Sequence, residues 1–272
     1  VSFGSGLQAP LATFLRYLLL PTIVNLLVGG LFLRRVYGRQ IAHEAARDPL
    51  PPTPPVSFFP RTELLPILRR FPALALFPIT IITLTTVDVV ADVTSGPAVP
   101  LYLVALGGAI VTLVASPGRL ELFERVDWSI LVLFAGLFVV VAGAINGGVL
   151  SAIETALPVP GPNQPAIGIG VILLASVGGS QLVSNVPWVA LQIPILHAAG
   201  YGSSTPWAWV ALAGGSTLAG DLTLLGAASN LIVVEQAERA GVRIGLRSFV
   251  RVGLPLTAIT VAILFAFLLV GL

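Results

Sequence analysis

A dense set of polar side chains lies inside an apolar stretch near the end of the sequence, between Gly214 and Asn230. Such groups are costly inside a membrane unless they serve a purpose, and Gly220 and Gly226 loosen any helix that carries them. Unwinding at this point would free backbone carbonyls for a cation and expose a helix N-terminus to an anion. The candidate binding residues are Gly220, Asp221, Thr223, Gly226, Ser229 and Asn230, with Ser216 and Thr217 as further possibilities.

A second polar motif interrupts the apolar residues 166–197. Its proline suits the first turn of a helix, which Ser184 or Asn185 can cap. The two motifs together predict one site at mid-membrane, where Ser184, Asn185 and Asp221 could hold sodium. Helix packing is the competing explanation, since small residues allow close contact and Ser or Thr can bond to their own helix. The motif's candidate residues are Ser184, Asn185, Val186 and Pro187, and Asn146 is a further possibility.

The composition indicates whether these motifs lie in water or in a membrane. The 272 residues are 56% hydrophobic and 10% charged, with a mean hydropathy of +0.98, which indicates an all-α polytopic membrane protein in the lipid bilayer. A net charge of +2 gives no basic surface for nucleic acid. The chain has neither lysine nor cysteine, which excludes lysine phosphate loops, Schiff bases and thiolate metal sites. With no nucleophile–base pair or metal triad visible, we expect neither an enzyme nor a cofactor.

The apolar stretches predict the helices that must position the two motifs. Residues 166–197 are too long for one crossing and too short for two, so we expect a re-entrant hairpin with its polar tip near mid-membrane. The polar motif near the end of the chain predicts a broken helix over about residues 207–230. The predicted membrane helices, about six in all, cover residues 11–33, 71–90, 98–115, 128–150, 207–230 and 249–271.

The arginines predict the orientation of these helices. Residues 34–70 carry half of the 14 basic residues, so the positive-inside rule places them in the cytoplasm and the C-terminus outside. The arginines of residues 231–248 then fall inside only if 166–197 enters and leaves on the same side. We therefore expect a multi-pass protein of the cell (inner) membrane, with a same-side hairpin.

A weak internal repeat indicates the domain organisation. Residues 6–19 align without gaps on residues 241–254, with glycine, phenylalanine, arginine and two leucines identical, and the two copies have opposite predicted orientations. If the repeat is real, an equivalent of about 100 residues is missing upstream. The predicted domains are 1–48, the last helix of a first inverted repeat; 49–70, a Pro/Arg-rich cytoplasmic linker; and 71–272, the second repeat with the hairpin and the broken helix.

Both motifs resemble the second half of the ion transporter superfamily, which includes arsenite permeases, sodium/proton antiporters and divalent-anion:sodium symporters. The resemblance rests on Ser-Asn-Val-Pro at 184–187 and on Leu-Ala-Gly-Asp-Leu-Thr-Leu-Leu-Gly-Ala-Ala-Ser-Asn-Leu-Ile-Val-Val at 218–234. It implies two inverted repeats, each with a re-entrant hairpin and an unwound helix, and often a dimer. Ser184 and Asn185 match the family's hairpin pair, and Gly220 through Asn230 match its broken helix. Asp221 departs from the asparagine of many relatives.

The leading hypothesis is a secondary active transporter for an inorganic or organic anion such as arsenite, sulfate or a dicarboxylate, coupled to a sodium or proton gradient. No arginine lies near the motifs, which favours a neutral or singly charged substrate or binding by helix N-termini. A sodium/proton antiporter that uses Asp221 is an alternative. Another is a non-transporting half that needs the missing upstream repeat as its partner, and a homodimer is possible.

Overall fold

A computed structural model describes residues 10–47, 73–94, 99–116, 128–156, 158–239 and 241–271, together with residues 7, 123 and 124. All regular structure in these ranges is helical, which confirms the predicted all-α class. The helices within them are α1 (Pro10–Arg47), α2 (Ala73–Thr94), α3 (Leu101–Ala115), α4 (Trp128–Asn146), α5 (Val149–Ala156), α6 (Pro165–Val183), α7 (Asn185–Ala198), α8 (Pro206–Leu218), α9 (Ala228–Arg239) and α10 (Leu246–Val270).

Several of these helices suit a bilayer rather than water. Apolar stretches long enough to cross a membrane occur in α1, α2, α6 and α10. Large apolar side chains on them are exposed, as Leu26 (71%) and Phe77 (69%) illustrate. Faces of this kind need a hydrocarbon surrounding, because water would be ordered over them at a free-energy cost. The chain is therefore a polytopic helical membrane protein.

Two helices end at places that the apolar pattern did not predict. The first continues through Arg47, beyond the expected end at residue 33, because residues 34–47 contain no proline and include good helix formers. The helix expected over 128–150 is divided into α4 and α5. Gly148, with φ 82°, lies between them, a conformation that glycine adopts easily at a helix C-terminus.

The chain divides into two compact units, Val1–Leu33 with Leu133–Leu272, and Arg34–Val132. In the second unit α2 packs on α3, and a Cβ atom added to Gly108 would overlap the side chain of Thr80. The first unit contains most of α1 and α4 and all of α5 to α10. Both polar motifs therefore lie in the first unit.

The core of the first unit is α8, which contacts α6, α7 and α10. Every residue from 207 to 212 is buried. Trp209 donates a hydrogen bond from Nε1 to the Gly202 carbonyl oxygen at 2.9 Å, and Trp207 meets Tyr201 edge to face. Burial of two tryptophans stabilises the start of α8. The residues that follow α8 are therefore attached to a well-packed helix.

The helices α1 and α10 run antiparallel in the first unit. Near one end of the pair, a Cβ atom on Gly271 would lie 3.6 Å from the ring of Tyr17. Farther along, Asn25 donates a hydrogen bond from Nδ2 to the carbonyl oxygen of Thr260 at 3.3 Å. An amide bonded to a helix carbonyl is one way in which helices associate inside a membrane.

Candidate functional site

The residues expected to form a hairpin do form one, from α6 and α7. The chain turns at the single residue Ser184, whose φ of 69° and ψ of 166° are rare for any residue except glycine. Close to the turn the helices touch so closely that a Cβ atom on Gly179 would overlap the indole of Trp188. At the open end, the Tyr201 hydroxyl donates to the Pro160 carbonyl oxygen at 2.6 Å. The two ends of the hairpin therefore lie together, as the same-side prediction requires.

The predicted broken helix is also present. Helix α8 ends at Leu218, one 3-10 turn follows over Ala219–Asp221, and α9 begins at Ala228. We call residues 219–227 the break. Its irregular backbone leaves carbonyl oxygens without helical partners, and inside a membrane such groups need other donors.

Asn230 supplies part of those donors from the first turn of α9. Its Nδ2 donates to the carbonyl oxygens of Gly220 at 2.7 Å and Thr223 at 3.1 Å. The sequence predicted that unwinding would expose carbonyls to a cation. In the structure the amide of Asn230 bonds to these two carbonyls and so ties the first turn of α9 to the break. A binding role for Asn230 stays a prediction.

Gln181, which the sequence analysis did not select, joins the hairpin to the break. Its Nε2 donates to the carbonyl oxygens of Ala219 at 2.9 Å and Val177 at 3.0 Å. Its Oε1 accepts a hydrogen bond from Thr223 Oγ1 at 2.6 Å. The sequence contains a signal for Gln181, because an amide three positions before Ser184 in an apolar helix is as costly inside a membrane as the polar groups of the two motifs.

Two glycines allow the break to pack on both sides. A Cβ atom on Gly226 would overlap the carbonyl oxygen of Ala219 and lie 3.0 Å from Oε1 of Gln181. On α10, a Cβ atom on Gly253 would overlap the carbonyl oxygen of Asp221. The break is thus held between the hairpin and α10, with its backbone in direct contact with both.

The tip of the hairpin is polar but bonds locally. Asn185 Oδ1 accepts a hydrogen bond from the Val186 amide at 2.9 Å and lies 3.5 Å from Ser184 Oγ. Val186 is exposed, whereas Pro187 is buried in the first turn of α7. Ser184 occupies the capping position without a side-chain capping bond. The tip's hydrogen bonds stay within the motif, and Gln181 supplies the connection to the break.

The remaining candidate residues differ in their hydrogen bonds and in their exposure. Ser216 and Thr217 donate to the carbonyl oxygen of Ala213, which is the self-bonding that the packing explanation anticipated. Ser229 is exposed in the first turn of α9, and Asn146 is exposed at the end of α4. The site thus gathers Gly220, Thr223, Gly226 and Asn230 around Gln181.

Asp221 is an exposed residue of the break. It lines a cavity of about 520 Å³ with residues of α1, α8 and α10, and neither Ser184 nor Asn185 lines that cavity. In the part of the chain that the structure describes, no three His, Cys, Asp or Glu side chains cluster as metal ligands. The sodium site predicted from Ser184, Asn185 and Asp221 stays a prediction.

Comparison with known proteins identifies the group to which this chain is similar in sequence. A family model described as citrate transporter matches residues 2–215, which include the hairpin but end before the break. An uncharacterized transporter of Mycobacterium tuberculosis is 32% identical over 169 residues, 60% of this chain and 39% of the relative. The silicon efflux transporter of rice is 36% identical over 146 residues (52% and 30%), and the human P protein is 29% identical over 180 residues (62% and 22%). The chain therefore spans less than half of each relative, and no solved structure matches it.

Proposed function

The chain belongs to the citrate transporter family, and we propose from this membership and the site's geometry that it is a secondary active transporter. It moves an inorganic or organic anion across the membrane and is coupled to a sodium or proton gradient. The hairpin and the break hold the substrate. A rocking or sliding motion of the protein then exposes it to the two sides of the membrane in turn.

One observation carries this proposal: two helix interruptions are joined by polar contacts inside an apolar unit. The hydrogen bonds of Gln181 to Ala219 and Thr223 connect the hairpin to the break. Non-helical backbone is tolerated at membrane depth only where protein or water surrounds it. Such interruptions are where secondary transporters hold substrates and ions, because half-helix ends and free polar groups are available there.

The charge of the site limits the substrate class. No arginine occurs between Arg125 and Arg239, so the hairpin and the break have no guanidinium to bind a doubly charged anion. Helices α7 and α9 begin at the hairpin turn and at the end of the break, and their N-termini favour negative charge. A neutral or singly charged substrate such as arsenite fits this arrangement best. Citrate and silicon, which are named for the family and for one relative, belong in the same screen.

The test is uptake by the purified chain in proteoliposomes under an imposed sodium or proton gradient. The screen contains arsenite, sulfate, phosphate, dicarboxylates, citrate and silicic acid, with empty liposomes as the control. We expect uptake of one of these compounds that depends on the gradient and is lost in Asn230→Ala protein. Equal uptake by empty liposomes across the whole screen would argue against the proposal.

The lone carboxylate of Asp221 favours a second candidate, a sodium/proton antiporter. A carboxylate without a basic neighbour in a membrane is either protonated or bound to a cation, so it can exchange the two ions. A sodium gradient should then drive proton movement, reported by an enclosed pH-sensitive dye, without any anion. A sodium gradient that moves no protons would exclude this function.

The alignment of residues 6–19 on residues 241–254 favours a further alternative, in which the chain is a non-transporting half that acts beside a partner. Cross-linking in membranes distinguishes the cases: transport by the chain alone, with no cross-linked partner, would exclude a dependent half. Transport that appears only after an upstream repeat is supplied would support one.

A further inference from the structure

The cavity between α1, α8 and α10 has mainly apolar walls, formed by side chains such as Leu26 and Leu264. Its polar lining comes from a few residues on α1, α8, the break and α10, among them Asn25, Thr217, Asp221 and Thr260. A cavity of about 520 Å³ with mainly apolar walls and a few polar residues has the size and composition of a ligand site. Neither Gln181 nor the hairpin turn lines this cavity.

The side-chain amide of Asn25 is hydrogen-bonded through its nitrogen alone among the described residues. Its Nδ2 donates to the carbonyl oxygen of Thr260 at 3.3 Å, and a flipped amide would place two oxygens against each other there. The orientation is therefore fixed. Oδ1 is buried and has no hydrogen-bond partner among the described residues. A buried amide oxygen in this state costs free energy unless a donor or a cation reaches it.

The two threonine hydroxyls also act as acceptors toward the cavity. Thr260 donates its proton to the Leu256 carbonyl oxygen at 3.0 Å, and Thr217 donates to the Ala213 carbonyl oxygen at 2.8 Å. A hydroxyl has one proton, so each oxygen has only lone pairs left for a ligand. The lining thus offers an amide oxygen, two hydroxyl oxygens and the carboxylate of Asp221.

The charge of the cavity lining suits a ligand that carries a single positive charge. Asp221 is the acidic residue among its lining, and neither arginine nor histidine lines it. Calcium and magnesium usually need more than one carboxylate or several further oxygens, whereas a single carboxylate neutralises a monovalent ion. A water molecule occupies roughly 30 Å³, so the cavity also has room for waters that complete an ion's coordination.

We propose that this cavity binds a sodium ion, held by Asn25 Oδ1, the Asp221 carboxylate and the hydroxyl oxygens of Thr217 and Thr260. This assignment moves the ion from the hairpin tip to α1 and α10 and keeps only Asp221 from the predicted set. Its role as the coupling ion rests on the proposed function, whereas its binding does not. Because Asp221 belongs to the break, an ion here also influences the segment on which the substrate site depends.

The test measures binding without transport. The purified chain is unfolded thermally in detergent in sodium chloride, and in N-methylglucamine chloride of equal ionic strength. A ligand that binds the folded state alone raises the Tm as it saturates, so we expect a saturable rise with sodium only. Thr260→Val, which removes one acceptor at nearly constant shape, should raise the half-saturating sodium concentration at least about tenfold.

The matched control is Thr257→Val, the same substitution three residues earlier on α10 at a buried threonine outside the cavity. It should leave the sodium response unchanged. Asn25→Asp adds a second carboxylate and should create a rise in Tm with calcium, which wild type lacks. An equal sodium response in wild type and Thr260→Val, or no sodium response in folded wild type, would overturn the site.

The binding assay separates failure of this site from failure of the proposed function. Substrate uptake by a chain whose Tm does not respond to sodium would reject the cavity and leave the transporter intact. A saturable sodium response that depends on Thr260, in a chain that moves no substrate, would support the cavity and reject the transporter.

Discussion

Gln181 is the side chain through which the hairpin bonds to the break. It donates to the backbone at Ala219 and accepts from the hydroxyl of Thr223. Loss of this amide would remove the acceptor of the Thr223 hydroxyl proton and one of the two donors to the Ala219 carbonyl. The Ala219 carbonyl would keep only the Leu222 amide at 3.2 Å, and the Thr223 oxygen only the Leu225 amide at 3.1 Å.

We predict that Gln181→Leu lowers the free energy of unfolding by about 1–3 kcal/mol and abolishes uptake. The reason is that Ala219 and Thr223 then lose the hydrogen bonds that join them to the hairpin. Gln192→Leu is the control within the same hairpin, because Nε2 of buried Gln192 has no partner among the described residues. Denaturation in detergent together with proteoliposome uptake measures both effects, and equal behaviour of the two variants would contradict the role of Gln181.

The backbone of Ser184 gives a second prediction at the scale of one residue. Its φ of 69° and ψ of 166° disfavour any residue with a Cβ atom, at a cost of about 1–3 kcal/mol. Ser184→Gly should therefore raise the stability by about 1 kcal/mol, whereas Ser184→Ala should not. If the hydroxyl binds substrate, both variants lose uptake. A Ser184→Gly protein less stable than wild type would show that the serine is not strained.

The break is an element whose shape depends on the absence of side chains. Gly226 lies against its own backbone at Ala219, and Gly253 of α10 lies against the backbone at Asp221. The amide of Asn230 replaces the missing helical hydrogen bonds. These contacts explain how nine residues of mostly irregular backbone remain ordered inside an apolar unit.

We predict that Gly226→Ala disrupts the break, since the added methyl would overlap the carbonyl of Ala219. The expected result is a Tm lowered by several degrees and loss of uptake. Gly178→Ala is the matched control, because no atom lies within 4 Å of a Cβ atom at that position. It should be neutral or slightly stabilising in a helix. A Gly226→Ala protein with normal Tm and uptake would argue that the break is looser than described.

At the scale of the whole molecule, the antiparallel packing of α1 and α10 supports the predicted inverted repeat. The contact between Asn25 and Thr260 joins residues separated by 235 positions, the same offset at which residues 6–19 align on 241–254. Helices related by a two-fold axis touch at equivalent residues where they cross that axis. The repeat stays a prediction, and this contact supports it.

The orientation can be tested directly, because the chain contains no cysteine and single cysteines can be placed at will. Ser203, between α7 and α8, should be outside, and Ser248, at the start of α10, should be inside. A membrane-impermeant maleimide should label Ser203→Cys in intact cells of fixed topology and Ser248→Cys only after permeabilisation. Labelling of both from the same side would contradict the hairpin topology.

The sequence by itself determined the class of protein, the hairpin turn at Ser184 and the interval that contains the break. These follow from local properties: apolar length sets a membrane helix, and clustered glycine and polar residues weaken one. Residue 184 interrupts the helices where the polar motif begins, and the break falls within the stretch 207–230.

Tertiary structure alone decided which polar groups meet. The pairing of Gln181 with Ala219 joins residues 38 apart, and the contact of Asn25 with Thr260 joins residues 235 apart. Spacing along one helix cannot predict such contacts, because they depend on how separate helices cross and which faces they turn to each other. The same packing places Asp221 in the lining of the cavity beside α1, which neither Ser184 nor Asn185 lines.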